Sequence, residues 1–162
     1  IYFSIKQLDE AKEWQKQVLQ ADPNDAEAAY TVGVIDWTQA HENMLKALAP
    51  EGFNDDGEGN VKAPKKVMEP LKEENGPLID EAMDYLKKAL ADRPNYDDAM
   101  TYMNLIYRRK ADVDYGDPAA VKDDVAQAKY WTSESMGTRK ANEERKNKGS
   151  GGITIDSSGN LK

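Results

Sequence analysis

The sequence predicts an all-α protein built from antiparallel helix pairs, and three observations predict it. Two stretches far apart, "LDEAKEWQKQVLQADPND" and "IDEAMDYLKKALADRPNY", share D-E-A, an aromatic three residues on, and a closing proline. Each is followed by a second amphipathic stretch with helical spacing of its apolar residues. Charged residues make up 32% of the 162-residue chain and hydrophobic ones 39%, a balance suited to exposed helices around a modest core.

Taken in order, Tyr2 and Phe3 read as the end of a helix, "IKQL" as a turn, and the stretch from Leu8 to Pro23 as the first full helix. Ala11, Trp14 and Val18 form its stripe, and Pro23 cannot continue it. A second helix from Ala26 runs to Leu48, where Pro50 stops it. Ala29 and Gly33 lie one turn apart on it. Glycine inside a helix costs about 0.5–1 kcal/mol relative to alanine, so Gly33 implies a close neighbour. An insertion over about residues 41–77 follows: an acidic, glycine-rich loop, then a short helix from about Pro64, disturbed by Pro70 and ended by Asn75-Gly76. Pro77 suits the first turn of the next helix, which carries Ala82, Tyr85 and Ala89 in the positions of Ala11, Trp14 and Val18. A helix over Asp97–Lys110 comes next, then a smaller insertion, "DVDYGDPAAVKDD", and a last helix, "AQAKYWTSESM". There Ala128 and Trp131 echo the stripe, and Ser135 takes its second small position. The Gly/Ser-rich tail 147–162 reads as flexible, or as a segment whose "ITI" run pairs with a partner as a strand.

This pattern of helices, small residues and closing prolines resembles the tetratricopeptide repeat, a helix–turn–helix unit of 34 residues. The wording "VGVIDWTQ … YDDAMTYMNLIYR" is similar to a group of exported bacterial tetratricopeptide proteins. The resemblance implies a helical solenoid over residues 1–146, a protein or peptide partner, and an extracytoplasmic setting. It is not perfect: Asp36 and Asn104 stand where the repeat usually has aromatic or small residues. In such folds the first helix of each pair lines a groove. The resemblance therefore implies groove positions at Tyr30, Val34, Trp37, Thr101, Leu105, Arg108 and Arg109, a mixture that suits interface hot spots. The alternative is that the insertion folds back and fills that groove. The helix that ends at Tyr2 and Phe3 also reads as an unfinished repeat, to be completed by further repeats upstream or covered by another molecule. A solenoid edge needs covering. Other copies of the chain would supply the cover through Tyr2, Phe3, Ile153 and Ile155, giving head-to-tail assembly.

Several chemistries find no support. The net charge of −8 argues against nucleic acid and anionic membranes as partners, and no apolar run is long enough to span a bilayer. There is no cysteine, and the single histidine, His41, reads as a solvated helix residue without metal-ligand company. "NDDGEGN" has the alternating acids and sixth-position glycine of a calcium loop, but Lys65 sits where the bidentate glutamate belongs. It reads as a solvated turn. No catalytic constellation, metal site or cofactor motif is expected. Trp14, Tyr85 and Trp131 are expected to pack between helices. Arg139, Lys140, Arg145, Lys146 and Lys148 form a basic patch that is either an ordinary helix end or a contact for acidic protein surface.

Overall fold

In the computed structural model, residues 4–150 are described, and they form five α-helices packed antiparallel, with no strand among the described residues. The helices are α1 (Ile5–Ala21), α2 (Ala26–Leu48), α3 (Lys65–Asp92), α4 (Asp97–Val113) and α5 (Pro118–Gly149). None is long and apolar enough to cross a membrane. The principal packing partners are α2 with α3 and α4 with α5; α1 lies against α2, and α3 against α4.

Local chemistry sets the boundaries. The Ser4 side chain accepts from the Gln7 amide while the Gln7 side chain accepts from the Ser4 amide, a reciprocal cap at the start of α1. "IKQL" is therefore the first turn of α1 rather than a link between helices. Asp25 caps α2 through the Ala28 amide, and Pro50 lies in the short 3-10 turn Ala49–Glu51 that closes it. Asp117 caps α5, with Pro118 in its first turn. The supposed second insertion thus shrinks to a tight turn before α5, and all of "PAAVKDD" is helix.

The largest departure from expectation is α3. Residues 65–92 form one continuous helix with Pro70 and Pro77 inside it. Both prolines are exposed, as are Lys66 and Glu73, the residues whose carbonyls lose their helical donors, so the gaps lie on the solvent side of the helix. The opposite side is held by Asn75, fully buried, whose amide donates to the Ala40 carbonyl and accepts from Asn43 at 3.0 Å. Sequence reading took Asn75-Gly76 as a stop; tertiary hydrogen bonds make Asn75 a helix-to-helix rivet.

The main core runs through Ala29, Val32, Ala82, Leu86, Ala99 and Ile106. A β-carbon added to Gly33 would stand 2.6 Å from the Cγ of Leu86, which is the close approach that excludes a side chain. A second cluster of Met44, Leu48, Met68 and Leu71 packs the end of α2 against the start of α3. Charge is buried between the elements as well. Lys12 of α1 reaches the fully buried Asp36 at 2.8 Å and Glu81 of α3 at 3.1 Å, while Lys16 reaches Glu81 at 2.9 Å. Asp36, which breaks the repeat pattern, is the acid that fastens α1 to α2.

Candidate functional site

Two surfaces compete as the place where this protein does its work: the strip between α2 and α4, and the outer face of α1. The strip is a ladder of rings. Tyr30 lies 4.9 Å from Tyr96 and meets Tyr102 edge-on at 5.6 Å. Trp37 meets the same Tyr102 edge-on at 5.6 Å and stacks on His41 at 4.7 Å. Edge-to-face and offset rings are the arrangements that aromatic quadrupoles favour. Tyr30 and Trp37 are half-buried against α4 and its cap, and Val34 and Leu105 are half-buried on their own helices. Thr101 turns to α5, where its hydroxyl pairs with that of Ser135. His41 is no solvated helix residue: burial pushes its pKa down, and the nearby Arg109 cation adds to the effect. Trp37 Nε1, Gln39 Oε1 and His41 Nδ1 are all buried without a hydrogen-bond partner in the protein.

At the far end of the strip the insertion folds back onto α4. Arg109 is 2% exposed and donates to Asp55 of the loop at 2.7 Å, and its other nitrogen lies 3.0 Å from Asp112 without a directed hydrogen bond. Asn60 bridges both acids, donating to Asp112 at 2.7 Å and Asp55 at 3.1 Å. Arg108 donates to the Gly57 carbonyl at 3.0 Å and to Asn104 at 3.0 Å. Arg109 is therefore taken up by the chain's own loop and leaves no guanidinium for a groove ligand. The loop that resembled a calcium site is organised around this arginine. Its carboxylates also accept backbone amides, Asp55 from Gly57 and Asp56 from Glu58 and Asn60. Gly59, at φ +90°, passes so close to Val121 and the Ala111 carbonyl that a β-carbon would stand 2.9 Å from the former. Among the described residues no cluster of His, Cys, Asp or Glu side chains is arranged to hold a metal ion.

The electrostatics follow from one buried cation facing two acids. Burial works against the Asp55 charge, but Arg109's hydrogen bond and charge outweigh it and hold its carboxyl below the ordinary range. Burial pushes Asp112 up to about 7, outweighing Arg109 and Asn60, because the arginine's charge is already met by Asp55. Asp112 was missed in the sequence reading. Its signal was the Arg109–Asp112 spacing of one helical turn, which puts both on one face.

The outer face of α1 is different. Trp14 is 65% exposed, and Ala11 beside it is exposed too. The matching residues elsewhere are covered. Ala82 and Ala89 of α3 are fully buried with Tyr85 packed against the core, and Ala128 of α5 is fully buried with Trp131 packed likewise. The expectation that Trp14 packs between helices is overturned among the described residues, where α1 packs against α2 and Trp14 is left exposed. Among the surface grooves are two with apolar walls. One of about 540 Å³ lies between α1 and α3, beside Leu19, Pro23 and Tyr85. The other, of about 450 Å³, lies between the loop and the start of α5, beside Val61, Val121 and Val125. The basic patch is partly spent on α4, where Arg139 pairs with Asp97 and Asp98 at 3.2 Å each. Tyr2, Phe3, Ile153 and Ile155 lie outside the described residues. Comparison with known proteins finds no matching family model, no matching curated protein and no matching solved structure.

Proposed function

We propose that this chain is a non-enzymatic protein–protein interaction scaffold, a helical solenoid of tetratricopeptide type, whose contact surface is the outer face of α1. One observation carries the reading. Trp14 stands in water at a position whose two counterparts, Tyr85 and Trp131, pack against the core. An exposed tryptophan beside the exposed Ala11 is the composition of an interface centre rather than of ordinary surface. The likeness of the three stretches points to a helical partner, since α3 packs against α2 and α5 against α4. The α2–α4 strip serves the same function less well. Its rings satisfy one another, its polar atoms are shut away from solvent, and Arg109 is held by the loop.

A photo-crosslinking residue in place of Ala11 tests this in the cell of origin, with the same residue in place of the exposed Asp80 as control. The expected result is a discrete adduct from position 11 that Trp14→Ala removes. No adduct, or equal yield from position 80, would sink the proposal.

A further inference from the structure

We infer that the partner of the α1 face is a second copy of this chain, and that Trp14 of one copy enters the groove beside the start of α5 in the next. The inference rests on the reading of α1 as the contact surface and adds the identity of what covers it. On α1, Trp14 has Glu10 one turn before it and Glu13 next to it, with side chains 68% and 66% exposed; each is held only by a long surface pair, Glu10 to Lys6 at 3.9 Å and Glu13 to Lys16 at 3.7 Å, which contributes little. The receiving groove is the opposite in sign. Val121 is its buried floor, Val125 and the 56%-exposed Val61 are its apolar walls, and Lys122 and Lys129 stand on its rim with Glu58 as the acid among them. Neither lysine has an ion-pair partner among the described residues. An indole suits such a site because it buries a large apolar body, and the two glutamates, exchanging their long pairs with Lys6 and Lys16 for the two unpaired lysines, fix its orientation.

The competing sites fit less well. The groove between α1 and α3 is flanked by Lys16 and Lys88, but Glu81 and Asp92 already pair with them and Asp84 adds a further acid. A self-complementary contact of α1 with α1 would leave Lys122 and Lys129, which have no ion-pair partner among the described residues, unused. The Trp14 face and the α5 groove are different surfaces of one molecule. Their contact is heterologous, and repeating it builds a chain or closes a ring.

Complementing variants of the full chain test the inference by sedimentation up to millimolar concentration. Wild type is expected to grow beyond the 18.1 kDa monomer with concentration. Trp14→Ala disables one end and should weaken association at least about 30-fold, the loss typical of a central interface tryptophan. Lys122→Glu with Lys129→Glu disables the other end. Neither variant should associate alone, yet an equal mixture should form a complex of two chains, because each retains the end the other lacks. Adding Glu10→Lys and Glu13→Lys to the groove variant should restore its growth. Circular dichroism confirms that these surface variants keep their helices. A wild type that stays monomeric, or a mixture that forms no complex, overturns the inference. A monomeric wild type whose position 11 still cross-links to a different protein overturns only the identity of the partner. With no cross-link either, the α1 reading falls as well.

Discussion

Replacing Arg109 by Met puts the anchoring of the loop to a quantitative test. The substitution keeps an unbranched side chain of similar length and removes the cation that Asp55, Asp112 and Asn60 surround. Removing one partner of a buried ion pair costs about 3–5 kcal/mol, because the charge left behind has lost its compensation. Here the lower end applies. Asp112 is raised to about 7 and takes a proton readily, and the Asp55 side chain is 24% exposed and can swing into water. A loss of about 3 kcal/mol is a large share of the 5–15 kcal/mol by which domains are stable. It corresponds to roughly 6–12 °C in Tm for a chain of this size. Urea denaturation measures the loss, and hydrogen exchange locates it. The Glu58 and Asn60 amides, which donate to Asp56 within the loop, should lose protection ahead of those in α2 and α3. A cost below about 1 kcal/mol with loop amides still protected would refute the claim that Arg109 organises the insertion.

The same cluster predicts a pH dependence. With Asp112 raised from the ordinary 3.8 to about 7, the stabilisation it lends is full below about pH 4 and is lost as pH rises through 7. Asp55, held low, works the other way, and its contribution disappears as pH falls below the ordinary carboxylate range. Asp112→Asn mimics the protonated form and retains the acceptor for Asn60. It should reduce the fall in urea midpoint between pH 5 and pH 8; an unchanged fall would mean that Asp112 is ionised throughout. Gly33→Ala should destabilise by about 1–2 kcal/mol, since crowding of 2.6 Å against the fully buried Leu86 outweighs the gain in helix propensity. A gain in thermal midpoint would show that α2 and α3 can part cheaply.

Much of the architecture was legible in the amino-acid order, and the reason is local. Helical spacing of apolar residues and the prolines at 23, 50 and 94 act within a turn or two of where they stand, so most of the helices and their order could be read directly. Gly33 announced a close neighbour for the same reason, since its cost is intrinsic. The failures share a cause as well. Pro70 and Pro77 are helix breakers by local chemistry, yet α3 runs through both because their faces meet water and Asn75 is tied to α2 across the core. Asp36 looked like a flaw in the repeat until Lys12 arrived from another helix. Trp14 and Trp131 occupy matching places in their stretches, and only packing separates the one left in solvent from the one against the core. The candidate site divides in the same way. The residue types of an interaction surface are written in the chain, but whether Arg109 is free or enclosed depends on an acid 54 positions away. Contacts at that separation are chosen by which surfaces the folded chain brings together, and no local preference encodes them.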